Sequence, residues 1–215
     1  SACARGNWDC DAFPWLTVRE CFIGYAPATV MGVSFSGELA YEIHVPNASL
    51  YAAYLALQKA GEPFGMKLFG ARAVESMRME KGYLHWKSDL LTEFDPIETG
   101  LDRFVKMNKP EFIGKTALSA RMAKTQTKKR VTLEISATHA PAYGGGSLMD
   151  GEKVVGTISS GEWGYRVGKN LAYAFVDMAY CAIGTEMDLD LCGDRVTATV
   201  TSACLYDAEN IRMRR

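Results

Sequence analysis

The sequence predicts an α+β chain in which a mixed first part gives way to a small all-β barrel. Three observations carry this. Residues 38–45 alternate as a half-buried strand should, and apolar stripes at helical spacing follow them. Beyond residue 130, short apolar segments recur between turn signals, Gly144-Gly145-Gly146 and Asp150-Gly151 among them, a spacing that suggests a small barrel or sandwich. Between the two textures runs a polar stretch, residues 124–130, which sets a boundary between a domain of residues 1–127 and a domain of residues 128–215.

Residues 22–25 and 29–35 read as short strands. Within 38–45, Leu39, Tyr41 and Ile43 point to one face, and Glu38, Ala40, Glu42 and His44 to the other. Pro46 and Asn47 end that strand and open a helix whose apolar stripe is Leu50, Tyr51, Tyr54, Leu55 and Leu57, closed by Gly61. A second helix is predicted over residues 70–81, stopping at Gly82, a natural C-cap residue. Pro96, Gly100 and Pro110 break any long element in 90–110, and residues 117–124 add a helix. Barrel strands are predicted at 131–135, 154–159, 171–176, 187–191 and 196–200, with Trp163, Tyr165 and Arg166 on a loop.

Composition excludes several classes. The chain has 215 residues, enough to bury a core, and its 24 basic side chains against 25 acidic ones leave a formal net charge of -1. That balance lacks the cationic footprint of a nucleic-acid binder. Lys124, Lys128, Lys129 and Arg130 form one basic cluster, which reads as a solvated linker rather than a phosphate clamp. No apolar run approaches the roughly 20 residues that span a bilayer, so no membrane partner is expected. The opening residues carry no apolar targeting core, so no secretory signal is visible. Cys3, Cys10, Cys21, Cys181, Cys192 and Cys204 form no C-x-x-C pair, and His44, His85 and His139 complete no ligand set, so no metal is expected. Reduced thiols fit a cytoplasmic location, or the mitochondrial matrix if the source is eukaryotic.

The segment Phe35-Ser36-Gly37-Glu38-Leu39-Ala40-Tyr41-Glu42-Ile43 is the most informative. By alternation alone, Glu42 is either a carboxylate in solvent or a ligand contact. In the second case a rigid strand aims two acceptor oxygens at a planar edge bearing two N–H donors. The segment resembles the Y-T-G-E-x-G-x-E-I signature of the folate-binding glycine cleavage T-protein family. Its wording is closer to the folate domains fused to dimethylglycine and sarcosine dehydrogenases. The resemblance implies that Glu42 binds the pterin ring and that Phe35 faces the cofactor where Tyr is usual. Phe35 can then stack on a ring but cannot hydrogen-bond through its side chain.

The stretch from Gly70 to Gly82 resembles the family's A-R-D-S-L-R-L-E-x-G helix. This implies that Arg72 grips the anionic tail of folate, as a guanidinium can in bidentate fashion. Read from helical spacing alone, Arg72 and Arg78 are ordinary i,i+3 ion-pair partners, and Arg78 is the weaker cofactor candidate, a buried structural partner. The resemblance continues through Asp89-Leu90, Asp95-Pro96-Ile97-Glu98-Thr99-Gly100-Leu101, Phe112-Ile113-Gly114-Lys115-Thr116-Ala117-Leu118 and Gly156-Thr157-Ile158-Ser159-Ser160-Gly161 to the closing stretch at Val200–Asp207.

What the resemblance implies is a tetrahydrofolate-binding one-carbon transfer region acting on a small methylated amine. No position matches the family's catalytic aspartate, Asp9 and Asp11 lying in the wrong context, so no catalytic residue is assigned and the chain alone is expected to be catalytically incomplete. An N-terminal region or another chain would complete it. FAD is expected only if a longer polypeptide carries an oxidoreductase half, since G-x-G-x-x-G is absent here. Two other readings stand beside this one: a non-catalytic folate-binding or assembly module, and a folate-dependent sulfonium demethylase relative. His85 beside Trp86 could serve as acid or base, but a lone histidine is more often structural.

Overall fold

The computed structural model describes residues 3–214. The chain divides into two compact units, one running to Lys81 and joined by the terminal segment from Asp207, the other Gly82–Tyr206.

The first unit is built on an antiparallel sheet of β1 (Val18–Ile23), β2 (Ala26–Met31) and β3 (Glu42–His44), in that order. The strands expected at 22–25 and 29–35 are displaced. Gly24-Tyr25 forms the tight turn of a β1–β2 hairpin, with Ile23 opposite Ala26 and Tyr25 at the exposed tip. The expected strand over 38–45 shortens to three residues; residues 35–39 are bends and residues 40–41 are irregular. The cause is Gly37, at φ +81, around which the chain turns. Leu39 and Tyr41, expected on a core face, are therefore 47% and 38% exposed.

Helix α1 (Leu50–Gly61) covers one sheet face with small residues. Ala53 is buried against Ile23, Ala26 and Ala28, with Ala56 and Leu57 beside it. Alanines on both surfaces let the helix approach closely. The stripe predicted to be buried is mostly outside: Leu50, Tyr51, Tyr54 and Leu55 are all exposed. Helix α2 (Ala71–Lys81) buries Ser76, Arg78, Met79, Glu80 and Lys81 and ends just before Gly82, as its spacing predicts. The Lys81 ammonium donates to the Asp207 carbonyl and to its carboxylate, 3.2 Å away, pinning the terminal segment to the end of α2.

The second unit contains a closed antiparallel barrel, as its turn-separated strands predict. Its strands are β4 (Lys128–Ile135), β5 (Ser147–Asp150), β6 (Lys153–Gly164), β7 (Lys169–Asp177), β8 (Glu186–Leu191) and β9 (Asp194–Thr201), in the order β4-β7-β6-β5-β8-β9. Pairing of Thr132–Ile135 with Ala198–Thr201 closes it. Val131, Leu133, Ile135, Ala172, Ala174 and Leu189 alternate into the barrel interior. Residues on the outer side of β7 are buried as well: Phe94 stacks flat on Phe175, ring centroids 3.6 Å apart. The chain ahead of the barrel thus clothes its wall, which explains why 171–176 reads as an unbroken apolar run. Helix α3 (Lys115–Met122) begins two residues earlier than expected. Trp163 belongs to β6 rather than to a loop. The basic cluster is also not a linker: Lys128 and Arg130 lie on β4, and Arg130 is half-buried.

Two carboxylates have acid-side consequences. Burial pushes Asp95 up, but the Glu98 and Ile97 amides and the Arg121 guanidinium, 2.7 Å away, outweigh it and hold the carboxyl below its usual value. Burial likewise pushes Asp207 up, and the Arg212 amide, Lys81 and the Ile211 amide bring it below. For a carboxyl depressed on folding, the stabilisation is complete above the unfolded pKa of about 4 and is lost as pH falls through the lower folded value. Urea midpoints should therefore hold from pH 7 to about 5 and decline below about 4. Arg121→Met should shrink that decline; an identical acid limb in both proteins would remove Arg121 from the account.

Candidate functional site

The register of the first sheet arranges its uncovered face in rows. Val18, Met31 and Glu42 form one row, and Glu20, Thr29 and His44 the next. Side chains on this face alternate with the buried set Ile23, Ala28 and Val30, so they point away from α1. Val18 and Phe22 are 62% and 57% exposed. A depression of about 610 Å³ opens along the same face, lined by Glu20, Phe22, Pro27, Thr29 and His44 among others; Glu42 is not part of its lining.

Glu42 opens β3, with a side chain 57% exposed, and His44 Nε2 lies 3.5 Å from its carboxylate. Among the described residues no guanidinium comes within 4 Å of it. An exposed pair of this kind leaves most of the carboxylate's acceptor capacity available. His44 is the neighbour that the candidate set did not include; its signal was the two-residue spacing that puts it on the face of Glu42.

Phe35 is half-buried in the connection from β2 to β3. Two serine hydroxyls shape that connection: Ser34 accepts from the Gly37 amide at 3.0 Å and Ser36 from the Glu38 amide at 3.3 Å. Gly37 itself is buried against the stem of Lys81, whose Cγ and Cδ would lie 2.9 Å from an added Cβ. Arg72 lies in the first turn of α2 and is exposed, on the same unit as Glu42 and Phe35. Arg78 is 1% exposed and directs Nε and Nη2 at Glu75 over 2.9 and 2.7 Å, an i,i+3 pair. Its burial and pairing mark it as structural.

Other groups have other roles. The His85 amide donates to Asp89 and its ring Nδ1 meets the Ser88 hydroxyl at 3.1 Å. Arg166 lies 3.8 Å over the ring of Tyr206, both in the second unit, a contact between distant segments that no local pattern announces. All six cysteines are free. Burial raises the Cys21 thiol, with Arg19 opposing, so it stays protonated at neutral pH. Among the described residues no cluster of three metal-ligating side chains occurs, and no helix is long and apolar enough to cross a membrane.

Comparison with known proteins fits this architecture. Residues 1–109 match the GCVT N-terminal domain and residues 128–207 the glycine cleavage T-protein C-terminal barrel domain. The human mitochondrial dimethylglycine dehydrogenase is 32% identical over 95% of this chain and 24% of its own length. An aminomethyltransferase of Alkaliphilus oremlandii is 30% identical over 87% of this chain and 51% of its own. The solved aminomethyltransferase T of the Bartonella henselae glycine cleavage system superposes with a TM-score of 0.72 at 26% identity, over 81% of this chain and 48% of that one. The chain thus spans about a quarter of the dehydrogenase and half of the aminomethyltransferases. With its first barrel strand opening at Lys128, where the barrel domain's match also begins, this chain belongs to the glycine cleavage T-protein family, a family of enzymes.

Proposed function

We propose that this chain is the tetrahydrofolate-binding one-carbon transfer region of a longer enzyme of the dimethylglycine or sarcosine dehydrogenase kind. The observation that carries the reading is Glu42: a strand holds its carboxylate on an uncovered face with its acceptor oxygens unspent on any tight ion pair. That pair of acceptors suits the flat, nitrogen-rich edge of a pterin, which offers parallel N–H groups. Bound tetrahydrofolate would supply a nucleophilic nitrogen that accepts the one-carbon unit of a methylated amine. The residues of this chain would bind and orient. Glu42 would align the pterin, Phe35 would pack against the ring, and Arg72 would grip the anionic tail. Alignment of this sort lowers the entropic barrier between two bound reactants.

No residue of this chain is assigned the acid–base step, so the site would be completed by an N-terminal region or another chain. The human and mouse sarcosine dehydrogenases are mitochondrial by name, like the dimethylglycine dehydrogenases, which supports a matrix location if the source is eukaryotic. FAD would enter only through a longer polypeptide. The domain division proposed is 1–127 for the folate-binding part and 128–215 for the barrel.

Glu42→Gln should weaken tetrahydrofolate binding by about 1.5–3 kcal/mol, roughly ten- to a hundredfold, because a charged acceptor facing two donors becomes a neutral one. Titration calorimetry measures it. Unchanged affinity would exclude Glu42 as the pterin anchor.

A further inference from the structure

We infer that the terminal segment, residues 207–214, positions the pterin-facing groups by clamping the connection between β2 and β3 that carries Phe35 and leads into Glu42. The inference deepens the folate reading and rests on it. Residues 33–41 of that connection take no part in the sheet ladder, whose β2–β3 pairs run only from Met31 opposite Glu42 to Thr29 opposite His44. With three residues, β3 does little by itself to fix the direction in which the Glu42 carboxylate leaves the sheet. A stretch without ladder bonds opens locally at low cost unless other contacts hold it.

The terminal segment meets the connection at three successive points. The buried Lys81 side chain is shared between them: its stem packs on Gly37, and its ammonium donates to the carbonyl and the carboxylate of Asp207. Next, Arg212 Nη1 lies 3.4 Å from Glu38 Oε2. Met213, 1% exposed, shares with Leu39, Ala40 and Tyr41 the lining of a cavity of only about 10 Å³, no more than the room of one water. The segment is itself folded for the task. The Asp207 carboxylate accepts from the Ile211 amide at 3.0 Å and the Arg212 amide at 3.2 Å, and its carbonyl from the Asn210 amide at 2.9 Å. Past Met213, the Arg214 guanidinium lies 5.4 Å over the Trp15 ring. The Arg212–Glu38 pair is partly exposed and contributes little. The buried methionine and the buried Lys81–Asp207 pair are the grips, which makes Met213 and Asp207 positioning residues that act on Glu42 through residues 37–41.

Titration calorimetry of the full 215-residue chain with tetrahydrofolate, paired with hydrogen exchange, tests this. Met213→Ala should weaken binding about tenfold, and Met213→Leu, which keeps the volume, should restore it to within about twofold. Asp207→Asn should weaken it about threefold. Amides 36–43 should lose protection in Met213→Ala while those of β7 keep theirs, which shows that the barrel stays folded. A loss of general stability adds to any other defect, whereas a loss of aim cannot harm a chain whose aimed carboxylate is already gone. In a Glu42→Gln background, Met213→Ala should therefore cost no more than about twofold. Full affinity in both Met213→Ala and Asp207→Asn, no rescue by Met213→Leu, unchanged protection at 36–43, or the same tenfold loss in both backgrounds would each overturn the inference and leave the folate reading standing. A wild-type chain that binds no tetrahydrofolate would overturn the folate reading itself, and the clamp's part in it.

Discussion

Gly161→Ala is expected to cost the chain about 3 kcal/mol or more, although it adds one methyl group. Gly161 lies on β6 opposite Ala172, and the backbone of Ala142 rests directly on it. An added Cβ would run into the Ala142 carbonyl group, a rigid neighbour rather than the free end of a side chain. The segment it would displace is held by Asn170, 1% exposed, whose Oδ1 accepts from the Ala142 amide at 3.1 Å and whose Nδ2 donates to the Ala137 and Ala140 carbonyls at 3.0 and 2.8 Å. Overpacking alone costs about 1–3 kcal/mol, and each buried amide group left unpaired adds about 1–3 more. Gly70→Ala is the control: nothing lies within 4 Å of its Cβ position, so the same substitution there should change stability by no more than about 1 kcal/mol, the chain-entropy gain being opposed by the preference for Gly over Ala ahead of α2. Urea unfolding of both variants measures the contrast. Equal midpoints would mean that the 137–142 segment yields without cost.

The close fit at Gly161 also shows why the barrel was the more legible half of the fold. On β4, β8 and β9 the inward residues alternate, and turn residues separate the strands, so periodicity and punctuation agree. In the first unit they conflict. Residues 38–45 alternate like a strand, yet the serine hydroxyls at 34 and 36 and the positive φ of Gly37 bend the chain ahead of residue 42. Helix α1 is apolar on two sides, and periodicity cannot tell that the small side, Ala53 with Ala56, is the one that meets the sheet. Arg130 read as solvated because charge usually is; its ties to the Glu98 and Thr99 carbonyls are a tertiary fact with no local signature. For the candidate site, alternation alone put Glu42 and His44 on one face. The half-buried pose of Phe35 depends on the serine-shaped turn instead.

Asp89→Ala is expected to produce the other large loss, about 3–5 kcal/mol, and here chemistry rather than volume decides. Asp89 is fully buried. Its Oδ1 accepts from the hydroxyls of Ser159 and Ser160, both at 2.6 Å, and its Oδ2 from the His85 amide at 2.8 Å. One carboxylate therefore ties the chain ahead of the barrel to the irregular point of β6, where the register shifts between Ile158 and Ser160. Removing it takes the short, charged acceptor from two hydroxyls and an amide at once, leaving Ser159 only the longer 3.3 Å contact with the Tyr173 carbonyl. Asp89→Asn retains an acceptor for one of them and should cost about 1–3 kcal/mol. Adding Ser160→Ala to Asp89→Ala deletes a donor that has lost its shortest acceptor, so the double variant should be more stable than the sum of the two single losses predicts. Strict additivity in that cycle would show that Asp89 and Ser160 act independently, leaving the anchoring of residues 85–90 to the Phe94–Phe175 stack and to the ion pairs that Arg121 makes with Asp95 and Glu98.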